Sequence, residues 1–171
     1  MARYRSSGAG ESSAASPKGE KPKQPRLTPT QVKSGIQEDY NRAYLWTGDI
    51  TEGLYDEDCS FRDPTISFDG LETFKRNVSN LQWLVERLVH PYGVDLLECE
   101  LDTNQSCVRT RWRMYGKLLL PWKPVINVIG RTRFTYDASR GNRVVDYDEE
   151  WEMPATEALL QIVRPGGDIL P

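Results

Sequence analysis

An α+β domain is predicted for this chain on three observations. Apolar residues recur at helical spacing over Leu71–Leu88, the period falls to two from Tyr92 onward, and clusters of Gly, Pro, Asn and Ser separate the alternating runs. Helices followed by an antiparallel meander place the helices on one face of a sheet. The curved form of that arrangement is a cone, with N-terminal helices packed on a curved antiparallel sheet around an internal pocket.

Composition bounds what such a domain can do. The chain has 171 residues, 38% hydrophobic and 27% charged, which suits one globular domain with a tail. No stretch of about 18 uninterrupted apolar residues is present, so no transmembrane segment is expected. Cys59, Cys99 and Cys107 have no metal-like spacing and His90 stands alone, so no metal site is expected and the thiols read as reduced. No cofactor is evident; His90 sits at a helix end before Pro91, a poor place for a haem ligand. The net charge of −3 divides into +4 over residues 1–27 and −7 over the remainder. An acidic folded part argues against nucleic acid as a partner.

Residues 1–27 are rich in Ser, Ala, Gly, Pro, Lys and Arg and nearly free of large aliphatics. They read equally as a disordered tail or as a transit-peptide-like segment; Arg3 and Arg5 favour the latter, Glu11 and Glu20 oppose it. The domain is placed at 28–164 and a C-terminal tail at 165–171. Thr28-Pro29-Thr30-Gln31 carries a capping box and a proline at the first helical turn. Val32, Ile36, Tyr40, Ala43 and Tyr44 continue that helix to Gly48. Asp49 and Glu52 are expected to cap a short helix that buries Ile50, Leu54 and Tyr55.

Cys59, Phe61 and Asp63 alternate with Ser60 and Arg62, which places Asp63 on the strand face of Phe61 until Pro64 stops the strand. Asp69 and Glu72 are expected to cap the longest helix. Its stripe is Leu71, Phe74, Val78, Leu81, Val85 and Leu88, and Pro91 is expected to end it. A strand over Val94–Leu101 follows, with a bulge expected at Leu96-Leu97. Strands over Val108–Gly116, Val125–Tyr136 and Arg143–Glu152 complete the meander, and Ala155–Val163 reads as a final short helix. Alternation turns Val108, Thr110, Trp112 and Met114 inward, then Gly130, Thr132, Phe134 and Tyr136, then Val145, Tyr147, Glu149 and Trp151.

This order, with Gly48-Asp49-Ile50, Tyr55-Asp56-Glu57-Asp58, Phe61-Arg62-Asp63-Pro64 and Gly70, resembles the nuclear transport factor 2-like superfamily, which includes ketosteroid isomerases and SnoaL-like cyclases. Leu119-Leu120-Pro121-Trp122-Lys123-Pro124, Gly130-Arg131-Thr132 and Glu149-Glu150-Trp151 are similar to an uncharacterised branch found in plants, algae and cyanobacteria. In plants that branch is largely plastid-targeted, so the resemblance implies a chloroplast location. Carried over by resemblance, the isomerase general base falls on Asp63. The oxyanion-hole tyrosine falls on Asn41, one position from Tyr40, and the protonated aspartic acid falls on Gly130. The base persists while its helpers do not.

Two catalytic candidates emerge, Asp63 and Glu149, the carboxylates that alternation points inward; desolvation would suit them to proton transfer. The residues alone favour Asp63 as a turn-forming residue before Pro64 over a general base, and Glu149 reads also as a buried partner for a Tyr or Arg. Phe61, Trp112, Met114, Phe134, Tyr136, Tyr147 and Trp151 either line a ligand pocket or fill a core. Arg109, Arg111, Arg113, Arg131 and Arg133 oppose Asp146, Asp148, Glu150 and Glu152 on the other face, as an ion-pair ladder or a homodimer surface. Leu119, Leu120 and Trp122, in an unusually apolar loop, are candidates for contact with a partner, a peripheral membrane surface, or their own final helix. The expected function is a non-catalytic plastid domain that binds a hydrophobic small molecule or a partner protein. The alternative is an isomerase, cyclase or dehydratase-type enzyme with Asp63 as general base.

Overall fold

A computed structural model describes residues 25–167, with the side chains of residues 79–81 outside the description. The expectations for residues 1–24 and for Leu81 therefore fall outside the described residues. Residues 25–27 are fastened to the domain: the Leu27 N–H donates to the Gly141 carbonyl at 3.0 Å, and the Arg143 guanidinium donates to the Pro25 carbonyl at 3.1 Å.

Helix α1 spans Pro29–Asn41 and opens on the expected box, Thr28 Oγ1 accepting from the Gln31 N–H at 3.2 Å while Gln31 Oε1 accepts from the Thr28 N–H at 2.8 Å. Val32, Ile36 and Tyr40 form its buried stripe. The helix does not run on to Gly48. Ala43 takes a left-handed conformation (φ 54), and a separate turn of helix, α2, covers Tyr44–Thr47. Asp39 accounts for the break. This buried carboxylate accepts from the Thr51 N–H at 3.0 and 3.1 Å, from Thr51 Oγ1 at 2.6 Å and from Arg42 at 2.5 Å. The chain therefore folds back over its own helix end. Asp49 pairs with Arg42 at 3.0 Å instead of capping a helix. Only a 3₁₀ turn forms, at Glu52–Leu54, and Ile50, Leu54 and Tyr55 are buried as expected.

Strand β1 spans Tyr55–Arg62 and β2 Ser67–Asp69. Asp69 is in β2 and accepts from Ser60 Oγ at 2.6 Å, so the N-cap position of α3 (Leu71–Leu88) is Gly70, with no side-chain cap. The chain then passes directly into β3 (Val89–Asp102), which already includes Pro91. Strands β4 (Cys107–Leu118), β5 (Val125–Asp137) and β6 (Arg143–Trp151) follow, and α4 covers Ala155–Leu160.

The six strands form one curved, open sheet in the order β2-β1-β6-β5-β4-β3. All pairings are antiparallel except β1 with β6, which is parallel, so the sheet is mixed. The β3 register shifts between Leu96 and Glu98, where the sequence predicts a bulge. A second shift lies in β6: Tyr136 pairs with Val144 and Thr135 with Asp146, leaving Val145 as the extra residue. Val144 therefore faces inward in place of Val145, and beyond the bulge Tyr147, Glu149 and Trp151 point into the core face. Helices α1 and α3 pack on that inner face. Among the described residues, no helix is long and apolar enough to cross a membrane.

On the outer face the charges pair, though not as a simple ladder. Glu152 holds Arg111 at 2.7 Å and Arg131 at 3.0 Å. Asp146 and Asp148 pair with Arg62 of β1, while Arg109 pairs with Asp102 and Arg113 with Asp95, both of β3. Like charges face each other across β4 and β5, Arg109 opposite Arg133 and Arg111 opposite Arg131, so the acidic partners come from flanking strands.

Replacing Asp39 by Ala leaves the Thr51 N–H without its acceptor and is expected to cost about 1.5–3 kcal/mol in urea denaturation. Arg42→Ala, at a side chain 36% exposed, is expected to cost less.

Candidate functional site

A pocket of about 260 Å³ lies between α3 and the inner face of β1, β4 and β6. One wall is a ring cluster around Phe61. Its centroid lies 4.7 Å from Phe74, 5.5 Å from Phe68 and 5.7 Å from Tyr147. Trp112, Met114 and Trp151 also line the pocket, together with Tyr44 and Leu45 of α2. Of the predicted lining, Phe61, Trp112, Met114, Tyr147 and Trp151 are present. Phe134 and Tyr136 are not: both are buried in the packed core, with Phe134 edge-on to Tyr147 at 5.2 Å. Tyr44, Leu45, Phe68, Phe74 and Val78 join the lining without having been singled out for it. Helical spacing had marked Tyr44, Phe74 and Val78 only as core.

Both candidate carboxylates reach this pocket, with different commitments. Asp63 Oδ1 accepts from the Thr65 N–H and Thr65 Oγ1, each at 2.6 Å, and from the Ile66 N–H at 2.9 Å. That is the turn-forming role open to an Asp before Pro64, and it occupies one carboxylate oxygen fully. Glu149 is held from behind. Its Oε1 accepts from Trp151 Nε1 at 2.8 Å and its Oε2 from the Tyr147 hydroxyl. Tyr147 has one proton to give, so the Tyr44 hydroxyl, 3.2 Å away, donates to it. Tyr44 and Tyr147 are kept well above the ordinary phenol pKa by burial and remain donors.

Desolvation pushes the Glu149 carboxyl up to about 7, with the hydrogen bonds from Tyr147 and Trp151 opposing the rise and the charge of Asp63 adding to it. The residue as a whole is only partly buried, but its carboxyl is enclosed and bonded on both oxygens. A group with that pKa is half-protonated near neutrality and can accept or donate a hydrogen bond.

The positions that resemblance assigns to the isomerase helpers do not serve the pocket. Asn41 is the exposed last residue of α1. The Tyr40 hydroxyl is engaged by Thr110 at 2.7 Å. At Gly130 a Cβ would stand 2.5 Å from the Trp112 ring and 2.8 Å from the Glu150 carbonyl, so the indole fills the space a longer side chain would need. Trp112 is anchored there by Nε1 donating to Thr132 Oγ1 at 2.9 Å.

The apolar loop after β4 packs on the C-terminal segment. Trp122 Nε1 donates to the Ile162 carbonyl at 2.8 Å, and the Gly166 N–H donates to the Trp122 carbonyl at 3.1 Å. Leu119 remains 57% and Trp122 42% exposed, while Leu120 is half-buried.

Two expectations follow. The folded chain retains the Glu149 proton to about pH 7, whereas the unfolded chain releases it near 4.5. Stability therefore falls as pH rises through that window and levels off above it. Glu149→Gln removes this slope, so urea melts at pH 5 and pH 8 are expected to differ by about 1–3 kcal/mol less than in the wild type. Gly130→Ala is expected to destabilise by about 1–3 kcal/mol through overpacking, read as a lower urea midpoint.

Comparison with known proteins gives the fold and the family. A nuclear transport factor 2-like protein from Burkholderia thailandensis superposes with a TM-score of 0.57 at 13% identity, covering 81% of this chain and 99% of the other. A putative isomerase from Bacillus subtilis gives 0.55 at 12% identity, covering 79% and 97%. A putative SnoaL-like polyketide cyclase from Jannaschia gives 0.53 at 11% identity, covering 89% and 99%. At these identities the likeness shows a shared fold. No curated protein matches. The profile of a family described as "uncharacterized conserved protein" (DUF2358) matches residues 30–145. With well over half its length matched, the chain belongs to the DUF2358 family and has the nuclear transport factor 2-like fold.

Proposed function

We propose that this protein is a non-catalytic binding domain for a small, hydrophobic, neutral molecule. The ligand would sit between α3 and the sheet, with its polar group hydrogen-bonded to Glu149. The observation that carries this reading is one carboxyl, fixed by Tyr147 and Trp151, facing a cavity otherwise walled largely by aromatic rings. Convergent polar groups in an apolar concavity are the usual form of a small-molecule site. The volume of about 260 Å³ favours a compact ligand. Two carboxylates, Glu149 and Asp63, against one guanidinium, Arg62, which is already paired with Asp146 and Asp148, disfavour an anionic one. Against catalysis stands the commitment of Asp63 Oδ1 to its own turn, and the absence from the isomerase helper positions of any donor aimed at a developing oxyanion.

A second reading is favoured by the Glu149 carboxyl alone. A group pushed up to about 7 is matched to proton transfer at neutral pH. Some proteins of this fold are described as a putative isomerase and a putative polyketide cyclase. In an enzyme of that type, Glu149 would carry the proton, with Asp63 as the alternative base.

Indole, flat and neutral with one N–H donor, is a suitable probe. In an NMR titration of the full chain it is expected to shift the Trp112, Trp151 and Tyr44 resonances saturably. Glu149→Leu is expected to weaken its binding by about tenfold, the loss of one charge-assisted hydrogen bond. An unsaturable response in the wild type, together with no retained mass in native mass spectrometry of protein from its own source, would rule the binding role out.

A further inference from the structure

Met114 and Trp151 wall the Glu149 pocket on one side and, on the other, line a second cavity of about 270 Å³. That cavity lies between the C-terminal half of α3, α4 and the sheet, with Val85, Leu118, Ile126 and Val128 on its walls. Every described residue lining it is apolar or aromatic. Its two tryptophans offer no free donor. Trp46 Nε1 gives its hydrogen to the Gly93 and Tyr115 carbonyls at 3.3 and 3.1 Å, and Trp151 Nε1 gives its own to Glu149. A polar molecule would lose its hydrogen bonds to water there and gain none. Leu84, Leu159 and Ile162 line the cavity and are 42%, 52% and 38% exposed, which marks the mouth.

We infer that this second cavity is a hydrocarbon-chain site, taking the alkyl or prenyl tail of a ligand whose hydroxyl or other neutral donor head sits at Glu149. The inference rests on the binding role proposed above and adds the class of ligand: a neutral, single-tailed amphiphile. The partition suits a chain in transit. Met114 is unbranched and adapts its shape readily, while the Trp151 indole is held in place by its 2.8 Å hydrogen bond to Glu149. The carboxyl pair at the head end, with Arg62 there already paired to Asp146 and Asp148, selects against a fatty-acid anion.

The test is calorimetric titration of the full chain with straight-chain 1-alkanols of four to nine carbons at pH 7. Affinity is expected to rise about fourfold for each added methylene. Leu84→Trp, which places an indole at the exposed mouth, is expected to stop that rise while 1-butanol binds as before; Ala158→Phe, filling the cavity from α4, provides an independent second variant. Circular dichroism and urea melts verify that each variant folds. A wild-type series that binds 1-butanol but gains nothing with length would overturn the tail site and leave the Glu149 pocket standing. Long alcohols that bind with no loss in Glu149→Leu, which leaves no acceptor, would overturn the head-group role and support the cavity as a hydrocarbon site by itself. Failure of every alcohol to bind would overturn both.

Discussion

One extra residue in β6 determines what this domain can hold. Side chains on a strand alternate with period two, so a slip of one position moves a whole set from one face to the other. Val144 is buried inside between its register partners Tyr55 and Tyr136 on the adjacent strands, and two positions later Asp146 lies outside, paired to Arg62. Val145 absorbs the mismatch. Past it, Tyr147, Glu149 and Trp151 share the inner face, and the carboxyl meets its two donors. Without the bulge, the phase that buries Val144 would carry Glu149 outward among the arginines and set Asp148 and Glu150 against the aromatic wall. The bulge also bends the strand, which contributes to the curvature that leaves space between sheet and helix.

A second buried acid performs a different task outside the site, at the end of α1. Asp39 is almost fully buried and raised in pKa by that burial, with the hydrogen bonds from Thr51 and the charge of Arg42 opposing the rise. It ends α1, reverses the chain through Ala43 and so aims α2 across the pocket, which brings Tyr44 to Tyr147. The two acids thus differ in consequence. Asp39 has its carboxylate surrounded by its own chain and is structural. Glu149 is bonded on both oxygens by Tyr147 and Trp151 and lines the pocket, which is where a ligand would meet it.

The candidate site was legible in part, and the residues show why. Alternation alone placed Glu149, Tyr147 and Trp151 on one face, because period two is a property of the strand and survives the bulge once the phase is reset. Alternation could not separate Phe134 and Tyr136 from the pocket lining, since it assigns a face but not a depth; the neighbouring rings decide which of them stay covered. Asp63 looked like the stronger carboxylate because resemblance assigned it the base. The turn-forming reading was also open to it, and three hydrogen bonds from Thr65 and Ile66 to Oδ1 form that turn. Gly130 shows the converse: its missing side chain reads as a lost catalytic group, while in the fold it is the clearance that Trp112 requires.

The sequence by itself determined the α+β class, the order of the long elements α1, α3 and β3 to β6, the α1 capping box, the β3 bulge at Leu96-Leu97 and the inward direction of Glu149. All of these follow from local periodicity, capping chemistry and turn residues, which act over a few positions. Only the tertiary structure decided the parallel pairing of β1 with β6, the break at Ala43, the reset at Val145 and the second cavity behind Met114 and Trp151. Each depends on residues far apart in the chain competing for the same space or hydrogen bond, and no local pattern records the outcome of that competition.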